Sequence, residues 1–151
     1  MQASMTINDK EFTRLFAKIE ERMQAKDAME IVGEIGLTSI QRNFEEGGRP
    51  GNWRPLAAST IKQRIRERKW PGQILMKTGV SGGLLGSISY EAKSRQVIWY
   101  SNKIYAAIHH FGGQAGKNHA ATIPARPYMM LQDEDWPEIK AALTDFYLGG
   151  A

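Results

Sequence analysis

The sequence has 151 residues, a hydrophobic fraction of 42%, no cysteine and a formal net charge of +4. A chain of this size and composition is expected to form one domain, spanning residues 1–151, with a core of its own. The absence of cysteine excludes a disulfide scaffold, thiolate metal sites and a cysteine nucleophile. No apolar run reaches the ~20 residues of a membrane helix. The first residues also lack a secretory signal pattern, so we expect synthesis in the cytoplasm and no membrane partner.

The positive charge is concentrated in the middle of the chain. Between Arg49 and Lys77, eight basic residues stand against one acid, Glu67, which gives this segment a charge of +7 and leaves −3 for the rest. Beyond Gln132, five acids face one lysine, a charge of −4. Oppositely charged regions favour head-to-tail association between copies, or docking on charged partners.

Two amphipathic helices are predicted in the first third of the chain. The first spans residues 7–23, with apolar residues at helical spacing. The second starts at Asp27 and is stopped by the glycines at 47–48. Gly33 and Gly36 lie within the second helix and predict the close approach of another backbone, because glycine otherwise only weakens a helix. Few residues join the two helices, so we expect an antiparallel pair. The apolar stripe of the first helix consists of Phe12, Leu15, Phe16, Ile19 and Met23.

The basic segment is predicted to begin with a connector and continue as a helix. Glycines and prolines make residues 47–56 irregular, and Trp53 is expected to anchor them because a buried tryptophan contributes a large apolar area. A third helix is predicted at residues 57–69, with Ile61 and Ile65 as a narrow apolar stripe beside a wide cationic face. The candidate contact residues on that face are Lys62, Arg64, Arg66, Arg68 and Lys69.

Two interpretations of this basic helix stay open. Clustered Lys and Arg side chains neutralise phosphates, which would suit contact with duplex DNA. The same face would equally serve as a solvated surface, or match the acidic C-terminal region of a neighbouring subunit. Aromatic residues are sparse around it and no DNA-reading motif is present.

The remaining elements indicate an α+β protein. The whole order predicts an antiparallel β-sheet with an N-terminal helical hairpin and a C-terminal helix packed on it. Asp133 is a suitable cap for that last helix. The elements predicted after the basic helix are an apolar plug or short strand at 74–76, a mobile loop at 78–86, a hairpin at 87–92 and 96–101, a short helix at 105–111, a mobile loop at 114–121, an extended segment at 122–131, and a helix at 134–147.

No catalytic residue, metal site or cofactor is predicted. His109 and His110 are adjacent and diverge on a helix, and no acid lies between residues 105 and 131 to complete a zinc site with His119. A hydrolase or nuclease using these three histidines stays as a third hypothesis. The glycines at 79–83 lack the GK[ST] ending of a phosphate loop, and the acids at 133–135 suit a helix start through the helix dipole.

Several short motifs follow one another in order from the second helix to the last. In this order and spacing they resemble the phage virion morphogenesis family, the Mu-type tail completion proteins. In this chain four residues, at 80–83, separate the Thr-Gly motif from the following leucine, which departs from the family pattern. The motifs are Phe44; GNWRPL at 51–56; Thr60 and Lys62; Ile74 and Leu75; Thr78 and Gly79; Leu84, Ser87 and Ile88; Tyr105, Ile108 and His109; FGG at 111–113; and IPARPY at 123–128.

The resemblance implies a non-enzymatic structural protein of the virion, assembled in the bacterial cytoplasm. It would complete the tail end or neck so that head and tail join. Similar tail-terminator and neck proteins form rings, often of six subunits, and their partners would be the tail tube and the neck or head completion proteins. Duplex DNA in a ring lumen is a further expected partner of the basic helix, through sequence-blind phosphate contact.

The alternative function is a small sequence-nonspecific DNA-binding protein that uses the basic helix at 59–69. A separate structural expectation concerns Arg126, which lies between Pro124 and Pro127. The prolines fix the direction of the extended segment, so we expect Arg126 to pair with a carboxylate in the fold or at a subunit interface.

Overall fold

The structure, a computed structural model, describes residues 10–23 and 26–148. Within these residues helices predominate over short antiparallel strands, so the predicted α+β class is confirmed. No helix in the described ranges is long and apolar enough to cross a membrane. The elements are α1 (Lys10–Met23), α2 (Lys26–Glu45), α3 (Ala58–Arg66), β1 (Ile88–Ala92), β2 (Val97–Ser101), α4 (Ala106–Phe111), β3 (Gly113–Ala115), β4 (Ala121–Ile123) and α5 (Trp136–Leu148).

The strands form two separate hairpins rather than one sheet. β1 pairs antiparallel with β2, with Ile88 opposite Ser101, so the predicted hairpin is confirmed. β3 pairs antiparallel with β4, with Gly113 opposite Ile123. The prediction of a loop at 114–121 was therefore wrong in part. Strands of three residues, with the sequences GQA and ATI, are too short to show the alternating pattern by which a strand is recognised.

Helix α2 is the central element, in contact with the β1–β2 hairpin and with α5. The Tyr90 ring lies against Gly33 and the Trp99 ring lies against Gly36, and a Cβ at either glycine would overlap the ring. Trp99 Nε1 also donates a hydrogen bond to the Gly33 carbonyl at 3.0 Å. The two glycines thus allow a close approach, as predicted, but aromatic side chains and not a backbone occupy the space.

The core lies between α2, the connector after it and the first strand. Trp53 is buried there, its ring at right angles to that of Phe44 with centroids 5.7 Å apart, and Tyr128 lies on another side of Phe44 at 5.2 Å. Trp53 Nε1 donates to the Pro127 carbonyl at 3.3 Å, so Trp53 ties two distant segments together as an anchor. Residues 74–76 pack against this core as turns, which makes them the apolar plug rather than a strand.

The N-terminal helical hairpin is not formed as predicted. Helix α1 makes its main contact with α5 instead of pairing with α2. Leu15 and Phe16 of its apolar stripe are half exposed. An amphipathic pattern identifies the helix but not the element that covers its stripe, which explains the error. The predicted start at residue 7, and the side chains of Phe12 and Met23, lie outside what the structure describes.

The C-terminal helix begins later and is capped differently from the prediction. Residues Asp133–Asp135 form a 3-10 turn before α5. The Asp135 carboxylate accepts a hydrogen bond from the Gln132 backbone N–H at 2.7 Å. Gln132 therefore holds the position before the turn, and Asp133 is exposed.

Candidate functional site

The five cations of the predicted basic helix do not form one surface. Helix α3 ends at Arg66, because Arg68 adopts a positive φ of 56° that no helix continues through. Arg64 is 4% exposed, and its Nη1 donates to the Gln73 carbonyl at 2.8 Å. Ile65, predicted for the apolar stripe, is 54% exposed. The face turned to the body thus carries an arginine, and the exposed cations are Lys62, Arg66, Arg68 and Lys69.

A cavity of about 780 Å³ lies between α3, the turns before β1 and the segment around β4. Four cationic side chains line it, and no Asp or Glu is among its lining residues. Apolar side chains form much of the remaining wall. The cations are Arg54, Arg64, Lys77 and Arg126, and the apolar residues include Leu56, Leu75, Leu84 and Ile123.

Arg126 is buried in the wall of this cavity. Its Nε and Nη2 donate to the Arg54 carbonyl at 3.2 and 3.0 Å, and Nη2 also reaches the Pro55 carbonyl at 3.3 Å. Within the fold, Arg126 therefore binds carbonyls and not a carboxylate. The expectation that Arg126 pairs with a carboxylate inside the fold is therefore wrong. The physical reason is that the backbone carbonyls of the connector at 54–55 lie closest to its guanidinium. Burial lowers the pKa of Arg126, and the nearby charges of Arg54 and Arg64 lower it further.

Two buried nitrogen atoms in the cavity wall have no hydrogen-bond partner in the described part of the chain. They are Nε of Arg64 and Nδ1 of His109. The His109 carbonyl accepts a hydrogen bond from the Arg126 backbone N–H at 2.9 Å. Burial lowers the pKa of His109, with a smaller contribution from the Arg126 charge, and both effects favour the neutral imidazole.

The three histidines do not form a common site. The His110 Nδ1 accepts from the Met129 N–H at 3.4 Å, and burial lowers the pKa of His110. His119 is exposed in a 3-10 turn. Among the described residues no group of three or more His, Asp or Glu side chains could hold a metal ion.

A second charged cluster, not predicted from the sequence, lies where α2 meets the start of α5. Arg49 is 7% exposed, and its guanidinium forms ion pairs with Glu134 and with Asp135, the latter at 3.3 Å. Its Nε donates to Asn43 Oδ1 at 2.9 Å, and the Ser39 hydroxyl donates to Asp135. We call this set the Arg49 network. The one sequence signal was polar Ser39 and Asn43 spaced four apart inside an apolar helix.

The Arg49 network sets one arginine against two carboxylates, and Arg42 adds a second cation 3.9 Å from Asp135. Burial on its own would raise the pKa of Asp135, but the hydrogen bonds from Ser39 and Gln132 and the charges of Arg49 and Arg42 outweigh it. The net pKa of Asp135 lies below its ordinary value. Part of the charge separation seen in the sequence is therefore satisfied inside one protomer.

The model of the phage virion morphogenesis family matches residues 7–146. This chain belongs to that family. Over 110 residues, 73% of this chain and 69% of the relative, it is 36% identical to Mu-like prophage FluMu G protein 2 of Haemophilus influenzae. Over 111 residues, 71% of this chain and 69% of the relative, it is 33% identical to putative capsid assembly protein G of Escherichia phage Mu. No solved structure gives a significant match.

The resemblance drawn from the sequence motifs is thus confirmed at the level of the family. Membership in a virion morphogenesis family supports a role in building the phage particle. The matched range, residues 7–146, contains both the Arg49 network and every residue that lines the cavity. Both features therefore lie in the part of the chain that corresponds to the family.

Proposed function

We propose that this protein completes the tail end or neck of a phage particle, so that head and tail join, and that it acts as a homo-oligomeric ring without catalytic activity. The observation that carries the proposal is the family match over residues 7–146, together with the relatives from Mu and a Mu-like prophage. The expected partners are the tail tube and the neck or head completion proteins. The protein assembles in the bacterial cytoplasm and remains in the virion.

The distribution of exposed charge supports a ring. Lys62, Arg66 and Arg68 are exposed on and after α3, whereas Glu138 and Asp145 are exposed on α5. Complementary patches at different places on one protomer favour heterologous contacts, and such contacts close into a ring when the rotation between neighbours permits. If the ring lies on the path of the DNA, the cations at α3 would contact phosphates without reading sequence.

Deletion of the gene from a phage that carries it tests the proposal. We expect separate heads and tails in the lysate by electron microscopy, and restored particles when the protein is supplied from a plasmid. Normal joining in the deletion strain would overturn the role. The purified protein should also show ring-shaped particles in negative stain.

The second candidate is the sequence-nonspecific DNA-binding protein. Four exposed cations close together, Lys62, Arg66, Arg68 and Lys69, favour it. Arg64 is removed from the predicted contact set because its guanidinium is buried.

A salt titration of duplex DNA binding tests this candidate. The triple variant K62A/R66A/R68A should lower the slope of log K against log salt by up to about 3, one for each lost phosphate contact. The matched control R95A/K103A/K117A removes three exposed cations elsewhere. An equal decrease of the slope in both triple variants would mean that DNA is attracted by the overall positive charge and not by a defined surface. No binding of duplex DNA by the wild type at low salt would end this candidate.

A further inference from the structure

Three of the four cations that line the cavity, Arg54, Arg64 and Arg126, form no ion pair with a described residue, although the charge of Glu67 acts on Arg64 from outside the lining. The hydrogen bonds of Arg64 and Arg126 go to backbone carbonyls, which carry no net charge. Lys77 alone of the lining cations has an acid partner, Glu67 at 2.7 Å, which lies outside the lining. A buried charge is costly unless it is paired. The unpartnered Arg64 Nε, in a side chain 4% exposed, therefore indicates a site for an anionic group.

The wall of the cavity narrows the class of ligand. Leu56, Leu75 and Ile123 line it beside the cations. A group that combines a carboxylate with an adjacent apolar side chain matches both parts of such a surface. The phosphates of duplex DNA gain nothing from the apolar wall, and two of the guanidinium groups are recessed rather than exposed. A peptide with an acid and an apolar residue on one face is the ligand that fits.

The chain itself carries such a group at the end of α5. Asp145 is exposed and forms no ion pair with any described residue. Leu148, one turn further along, is 60% exposed. Residues three apart lie on the same face of a helix, so the acid and the leucine are neighbours. No residue of α5 lines the cavity, so this group does not enter the cavity of its own protomer.

We propose that the cavity of one protomer binds the last turn of α5 from a second copy, with the Asp145 carboxylate on the guanidinium side and Leu148 against the apolar wall. The contact is heterologous, because the cavity and the α5 end are different surfaces. Repeated around an axis, it joins each subunit to the next. The inference rests on the proposed ring and names the contact that forms it.

Disulfide trapping tests the contact directly, since the chain contains no cysteine. A57C places a thiol in the cavity lining, and L148C places one at the end of α5. A mixture of the two variants should give a cross-linked dimer under mild oxidation. The control mixture, S94C with L148C, pairs the same helix end with an exposed turn of the first hairpin and should give little. Equal trapping in both mixtures, or none in either, overturns the inference.

A charge swap gives an independent readout. R54E and D145R change exposed side chains, so both variants should melt like the wild type. Each alone should weaken self-association by roughly 30-fold or more, and the double variant R54E/D145R should restore it. Weakening without restoration by the double variant overturns the inference.

The outcomes separate this contact from the ring. If the R54E and D145R variants form rings of the same mass as the wild type, and A57C and L148C give no cross-linked dimer, the proposed contact is wrong but the ring proposal stands. Specific trapping in a protein that never exceeds a dimer supports the contact and overturns the ring. If R54E leaves self-association unchanged and instead abolishes binding of duplex DNA, the cavity takes phosphate and the inference is wrong.

Discussion

The Arg49 network and the cavity both bury arginine, and they differ in what neutralises it. Arg49 meets two carboxylates, those of Glu134 and Asp135, within the protomer. Among the described residues, Arg64 and Arg126 donate hydrogen bonds to backbone carbonyls and form no ion pair, although the charge of Glu67 acts on Arg64. A buried ion pair that is fully hydrogen-bonded serves the fold, since breaking it leaves a charge alone. A buried cation without an ion-pair partner can accept a carboxylate from another molecule, so we assign the Arg49 network to the fold and propose the cavity as a binding site.

The largest expected effect comes from removing Arg49. R49M leaves the Asp135 carboxylate buried and without its closest cation, and should lower the free energy of unfolding by about 3–5 kcal/mol. The measurement is urea denaturation at pH 7, with the exposed R95M as the matched control. A loss equal to that of R95M would mean that the Arg49 network does not hold α2 to the start of α5.

Replacing the cavity arginine Arg64 by methionine should lower the free energy of unfolding much less. R64M loses one hydrogen bond from a charged donor, about 1.5–3 kcal/mol, but it also removes a desolvated guanidinium. Burial lowers the pKa of Arg64 more than the nearby charge of Glu67 raises it, so the charged guanidinium is disfavoured there. We expect a net loss of about 1 kcal/mol in urea denaturation. If R64M destabilises as much as R49M, the contrast between the two regions is wrong.

The pH dependence of stability sharpens the comparison. The pKa of Asp135 is lower in the folded chain than its ordinary 3.8. The contribution of Asp135 to the free energy of unfolding is thus fully present above the pKa that Asp135 has in the unfolded chain. It is lost as the pH falls through the lower pKa that Asp135 has in the folded chain. Urea denaturation from about pH 5 downward should show this loss in the wild type. D135N should flatten the profile, whereas D133N, which alters an exposed neighbouring acid, should preserve it.

The smallest effects belong to the exposed cations of α3. K62A and R66A should each change the free energy of unfolding by no more than about 0.5 kcal/mol, because neither side chain is buried. Thermal melts of K62A, R66A and R64M, measured side by side, would rank the three positions by their loss of stability. A loss at residue 62 or 66 that exceeds the loss at residue 64 would contradict the described orientation of α3.

Local patterns predicted much of the fold. Ile88 and Tyr90 alternating with serine, followed by the apolar run at 97–100, predicted the first hairpin, and the large apolar area of Trp53 predicted its burial. The second hairpin was missed because strands of only three residues are too short to carry a periodic signal. The glycines of α2 predicted a close contact, but only the fold shows that Tyr90 and Trp99 fill it.

The charged sites were harder to predict, for a physical reason. Arg49 pairs with Glu134 and Asp135, which lie more than 80 residues away in the sequence, so no local pattern predicts the Arg49 network. On α3, Arg64 and Ile65 both follow Ile61 at helical spacing, and hydropathy favoured the isoleucine. Arg64 is buried instead, because its guanidinium donates a hydrogen bond to the Gln73 carbonyl in the segment after the helix.

The mass of the protein in solution tests the central claim most directly. Light scattering behind a sizing column, at several protein and salt concentrations, should show one discrete species of ring size that dissociates as salt screens the charges between subunits. A monomer at every concentration and salt would contradict the account, because the uncompensated cations of the cavity would then have no counterpart in a second copy.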